Sequence, residues 1–165
     1  MKIRWVVVGL LCGVAAITTT WYWKNKMKEP TISLNCQSQG KFIFNERPDS
    51  PIFQGTYTLM FDNNGSGTIS LAGMLTMGTS HYRVLRTAIM QYQTIDIEHG
   101  WFNLSHTGDA IQDYDNAPKD VIDTYLLRGT DGKTKRVFRA MPLNDHAYLV
   151  GNAYSPVMVC SKVNG

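Results

Sequence analysis

Residues 53–77 read FQGTYTLMFDNNGSGTISLAGMLTM, and side-chain character alternates with a period of two on either side of the Asn-Asn-Gly-Ser-Gly break. Successive side chains of an extended strand point to opposite faces, whereas a helix needs a period of 3.6. Tyr57, Leu59 and Phe61 therefore share one face of a strand, and Thr56, Thr58 and Met60 the other. On the next strand Ile69, Leu71, Leu75 and Met77 share a face. Asn and Gly accept positive φ, so the break reads as a hairpin turn. A third strand follows at about 81–94 (HYRVLRTAIMQYQT), beyond a Gly78-Thr79-Ser80 turn.

Further strand-like runs lie at 101–106, 125–128, 136–141, 147–150 and 157–163, with one or two more strands expected in 32–44. Asp131-Gly132 marks a second hairpin turn. The one helical candidate is 118–125, with Asn116 as its cap and Pro118 near its first turn. The pattern predicts a mostly β chain of about eight antiparallel strands, closed as a barrel or stacked as a sandwich. Closure removes exposed edges, and eight strands leave room inside for one small ligand.

The N-terminus obeys different rules. Trp5 to Trp23 (WVVVGLLCGVAAITTTWYW) is 19 residues without a charge. A helix of that length spans about 28 Å, close to the ~30 Å bilayer core. Lys2 and Arg4 flank it on one side, Lys24, Lys26 and Lys28 on the other, with aromatic residues at both ends. That predicts a transmembrane helix at 5–23 behind a stub at 1–4, then a charged stem at 24–30 and a folded domain at 31–165. The alternative is a cleaved signal peptide ending near Val14-Ala15-Ala16. Cys12 follows Leu11 rather than a small residue and reads as part of the apolar span, not a lipidation site.

The formal net charge of +3 resolves along the same boundary. All five basic residues before position 29 belong to the flanks of the span; beyond it, 11 basic residues meet 13 acidic ones, a net of −2. A nucleic-acid-binding domain wants its basic residues on the folded part, so direct nucleic-acid binding is not expected. Cys36 and Cys160 lie near the two ends of the domain, an even pair behind an export signal. A disulfide in an oxidising compartment is the favoured reading, two buried thiols the alternative. Closing so long a loop would contribute about 5 kcal/mol at most. The N-terminus is accordingly expected in the cytoplasm and the domain in a bacterial periplasm.

No catalytic or metal constellation stands out. His81, His99, His106 and His146 have no metal-pair spacing, and His99 and His106 read as surface residues flanking a strand. Asp109, Asp113, Asp115, Asp120 and Asp123 lack the spacing of a calcium loop and read as a solvated loop. No nucleophile elbow, phosphate loop or cofactor motif is present, and no enzymatic activity is expected. Arg86 falls on the apolar face of the third strand with Tyr82, Val84, Ala88, Met90 and Tyr92. A buried Arg needs an anionic partner: a carboxylate of the protein is the favoured reading, a ligand acid the alternative.

The N-terminal span, the hairpin FQGTYTLMFDNNGSGTISLAG, the strand YRVLRTAIMQYQ and the loop DYDNAP together resemble the FidL-like family of inner-membrane proteins, distantly similar to ToxS-type periplasmic accessory proteins. The resemblance implies a lipocalin-like β-barrel. It also implies a partner: a ToxR-like membrane-spanning transcription regulator, whose periplasmic domain would complete or cap the barrel in a heterodimer. A bile-salt-like amphipathic molecule is the implied ligand. With the face chosen by alternation, the cavity residues would be Tyr57, Leu59, Phe61, Leu71, Tyr82, Arg86 and Met90. A stand-alone periplasmic lipid or ligand carrier tethered to the inner membrane is the competing function.

Overall fold

The computed structural model describes residues 32–45, 47, 50–127 and 136–163. Eight antiparallel strands follow one another around a closed barrel, each beside its neighbours in sequence. They are β1 (Leu34–Ile43), β2 (Ile52–Phe61), β3 (Ser66–Met77), β4 (Ser80–Asp96), β5 (Trp101–Ile111), β6 (Arg136–Asn144), β7 (Ala147–Asn152) and β8 (Pro156–Lys162). The expected transmembrane helix at 5–23 lies outside the described residues, as does the Asp131-Gly132 turn. Among the described residues no helix is long and apolar enough to cross a membrane.

The hairpin that dominates the sequence also dominates the sheet. β2 and β3 pair from Ile52–Thr76 to Phe61–Gly67, and β3 continues onto β4 from Met77–Ser80 to Ser66–Gln91. Gly65 takes φ +82° in the connecting turn, and Asn64 Oδ1 accepts the Ser66 backbone N–H at 2.9 Å. The alternation places Tyr57, Leu59, Phe61, Leu71, Leu75, Val84, Ala88, Met90 and Tyr92 inside, all buried. Thr56, Thr58 and Met60 stay on the outer face as expected, half-buried or exposed.

One end of the barrel is sealed. There the Tyr92 hydroxyl lies 2.6 Å from the carbonyl oxygens of both Ile32 and Asp62. At the other end, the chain after β5 folds into α1 (Lys119–Val121), which runs directly into a π-helical turn (Ile122–Leu126). Ala117, Val121, Ile122, Leu126 and Leu127 are buried in the core. This corrects two expectations. Residues 125–127 belong to the π turn and its end, not to a strand. Asn116 does not cap the helix; Pro118 occupies that position, without a side-chain cap.

The seam between first and last strands differs from the others. β1 pairs with β8 only at Cys36–Lys162 and Gln37–Ser161, with one further bond from Val163 N–H to the Asn35 carbonyl at 3.0 Å. Beyond Gln37, β1 stays zipped to β2 as far as Ile43, but its other edge parts from β8. Cys36 and Cys160 form a disulfide across this seam, fully buried, with a Cα–Cα distance of 5.4 Å.

Candidate functional site

The parted seam opens into a cavity of about 420 Å³, within the usual range for small-molecule sites. Its inner wall is Tyr57, Leu59, Phe61, Ile69, Phe102, Leu104 and Val150. Phe61, Phe102 and Phe138 form a run of rings at 5.7 and 6.2 Å. Phe42 meets Tyr57 edge-on at 4.7 Å, and Phe44 lies 5.9 Å from Tyr125 of the π turn. The mouth is bounded by the end of β1 (Lys41 to Ile43), the start of β6 (Arg136 and Val137) and the β7–β8 corner (Asn152, Ser155 to Met158). Among the described residues no acidic one lines the cavity. Its polar edge consists of Lys41, Arg136, Asn152, Ser155 and tyrosine hydroxyls, and its depth is aromatic and aliphatic.

Of the seven residues assigned to the cavity from alternation, Tyr57, Leu59 and Phe61 line it. Leu71, Tyr82, Arg86 and Met90 occupy the same inner face but do not line it. Leu71 and Met90 are consumed by close packing, each 1% exposed, and Tyr82 is half-buried opposite Leu75. Period-two patterning fixes a face, not the half of a barrel that is left empty. Phe42, Phe102, Leu104, Phe138 and Val150 were missed, although each lies in an expected strand.

Arg86 has the protein carboxylate favoured for it from sequence, and so it is not a cavity residue. It is buried, and its guanidinium is spent on Asp115: Nε donates to Oδ2 at 2.7 Å and a terminal nitrogen donates to Oδ1. The same nitrogen donates to the Ala117 carbonyl at 2.8 Å. Asp115 also accepts the backbone N–H of Leu85 at 2.8 Å and of Ala117 at 3.0 Å. Burial alone would raise the Asp115 carboxyl, but the bonds from Arg86 and from these two N–H groups prevail and hold it below its usual range.

The loop DYDNAP is thus a clamp. It runs along the lower edge of β4, which β5 leaves free: Asn116 N–H donates to the Arg83 carbonyl, and Asn116 Oδ1 accepts the Arg83 N–H. Of the acidic stretch expected to be a solvated loop, Asp113 and Asp120 are exposed, whereas Asp109, Asp115 and Asp123 are engaged in ion pairs.

A second polar group sits beside the π turn. His106 Nε2 lies 2.7 Å from Asp109 Oδ1, and Lys119 Nζ reaches Asp109 Oδ2 at 2.8 Å and Asp123 at 3.0 Å. His106 is not the surface residue expected. Residues 106 and 109 would face opposite ways on a regular strand. The ladder jumps, however, from Ile89–Gly108 to Met90–His106, leaving Thr107 as an extra residue. Both His106 and Asp109 then oppose inward residues of β4, Met90 and Ala88. Burial pushes the Asp109 carboxyl up, while the bonds from Lys119 and His106 bring it to a net position below its ordinary value. The Lys119 ammonium is held above its own by Asp109 and Asp123. These contacts fasten the helical segment to β5.

The sequence model of the family described as "FidL-like putative membrane protein" matches residues 73–160, more than half of the chain and a span that includes both Arg86 and the clamp loop. No curated protein matches the chain.

Proposed function

From the premise that this chain belongs to the FidL-like family of membrane proteins, we propose that it is a membrane-anchored, non-enzymatic accessory protein of a ToxR-like transcription regulator. In this reading a single N-terminal helix at 5–23 crosses the bacterial inner membrane, with the N-terminus cytoplasmic. The barrel stands in the periplasm and pairs with the regulator's periplasmic domain. An amphipathic, bile-salt-like molecule in the cavity would adjust that pairing. The partner, not this chain, would touch DNA.

The observation that carries the reading is the seam. β1 and β8 part beyond Gln37, leaving two strand edges that form no ladder with each other among the described residues, beside the mouth of an apolar cavity. Such edges are templates for an added strand, which would complete the wall and cover the cavity in one step. A ligand that binds the paired chains better than the separate ones shifts assembly by that difference in affinity. Arg86 is committed to Asp115, and His106 to Asp109, which supports a binding role over catalysis.

The test is co-purification of the tagged full-length chain with the neighbouring membrane regulator, with and without bile salts. Specific recovery of the regulator supports the reading, and recovery no better than an unrelated single-pass protein under both conditions defeats it. The alternative, a tethered carrier acting alone, is favoured by one feature: a single chain already encloses most of the cavity. A ligand bound equally tightly with and without the regulator would select it.

A further inference from the structure

We propose that Lys41 and Arg136 form an anion-binding rim for an amphiphile whose acidic head stays at the seam and whose apolar body enters the barrel. The proposal rests on the cavity as a ligand site and is independent of any regulator. It moves the acid-recognising role away from Arg86, whose donors are occupied by Asp115 and Ala117.

Lys41 stands on the outer face of β1, in the edge stretch that β8 leaves unpaired, and Arg136 is the first residue of β6. Both are exposed, and both border the cavity. Neither makes an ion pair among the described residues. Among the described residues they are the charged ones of the lining. Arg136 pairs with Leu104 at the mouth, and further in Phe138 pairs with Phe102, whose ring neighbours Phe61 next to the end closed by Tyr92.

The site therefore has a polarity: cations and a few neutral polar groups at the water-facing end, rings and aliphatic chains at the blind end. A neutral apolar molecule would gain nothing from the rim. A cationic amphiphile would be repelled, and a dianionic polar solute would leave the apolar depth unused. An acid carrying one compact apolar body satisfies both ends, since apolar burial supplies affinity and a few charged contacts fix orientation. A straight-chain lipid acid and a steroid acid share this chemistry.

The experiment uses the full-length chain in phosphatidylcholine nanodiscs with diazirine-bearing photoprobes: a palmitate, a taurocholate and an uncharged hexadecanol. Modified peptides are mapped by mass spectrometry. At least one acid is expected to label the strands carrying Leu104 and Phe138. That labelling should fall at least five-fold in Lys41→Gln/Arg136→Gln, while hexadecanol labels both proteins alike. Whichever acid labels identifies the source. Lys41→Glu/Arg136→Glu should reject the acids and admit a cationic alkyl-ammonium probe, a reversal that loss of fold cannot imitate.

Equal acid labelling of wild type and the Gln variant overturns the rim. Absence of cavity labelling by every probe overturns the ligand site on which the rim depends. Neither result bears on co-purification with the regulator, so the two proposals fail separately.

Discussion

Arg86 and Asp115 show how much a single buried pair can hold together. Their side chains are 3% and 0% exposed, and the pair links the middle of β4 to the loop that leads into the helical segment. Deleting one member strands the other charge. Arg86→Met should therefore cost about 3–5 kcal/mol in denaturant unfolding. Asp115→Asn should cost less, because the amide oxygen can still accept the N–H of Leu85 or Ala117. The same pair sets a pH dependence. Asp115 and Asp109 are both held below the ordinary value of 3.8. A carboxylate lowered by folding stabilises the native state above its unfolded value and loses that contribution as pH falls through its folded value. Melting temperature should thus be steady near pH 6 and fall on acidification below about pH 4. A scan that stayed flat from pH 5 to pH 3 would contradict the assignment.

Among the elements, β2 and β3 are legible because each face of the hairpin has one chemical character. They also contain a less obvious device: Gly55 and Gly73 oppose each other in register, and the Phe53 ring packs against the space they leave. A Cβ on Gly55 would sit 2.3 Å from the Ala72 carbonyl oxygen and 2.7 Å from the Gly73 Cα, both backbone atoms that cannot rotate aside. Gly55→Ala should destabilise by about 1–3 kcal/mol, as overpacking does. Gly40 on β1 is the contrast: an added Cβ would meet the Phe42 ring at an ordinary 3.8 Å. Gly40→Ala should be neutral or stabilising by up to about 1 kcal/mol, through loss of unfolded-state freedom. Comparison of the two melting curves checks both. The π turn was not legible in the same way. A helix is expected over 118–125 and a strand over 125–128; the helical segment in fact runs on to Leu126, with Ile122, Leu126 and Leu127 buried in the barrel end.

At the scale of the whole molecule, closure is divided between hydrogen bonds and one covalent link. Seven of the eight strand junctions rest on their ladders; the eighth is short, and the Cys36–Cys160 bond crosses it at a separation of 124 residues. Cys36→Ser/Cys160→Ser should lower stability by up to about 5 kcal/mol, on the loop-entropy estimate. It should also abolish the difference in gel mobility between reduced and non-reduced protein. An identical unfolding midpoint with and without the bridge would show that the short ladder suffices to close the barrel.

The sequence by itself determined the β character, the shared faces of β2, β3 and β4 and the main hairpin turn, and it favoured the pairing of the two cysteines. Each of these is local or one-dimensional: a period of two, a residue that tolerates positive φ, an even cysteine pair near the chain ends. It also placed Arg86 inside and demanded an anion for it. Tertiary structure alone decided that Asp115, 29 residues further on, is that anion. It decided as well that the bulge at Thr107 turns Asp109 inward beside His106, and that the empty half of the barrel lies toward β5–β8 and the parted seam. Those outcomes depend on how eight strands stagger around a closed surface. Register shifts and packing voids are properties of many residues at once, and no window of sequence contains them.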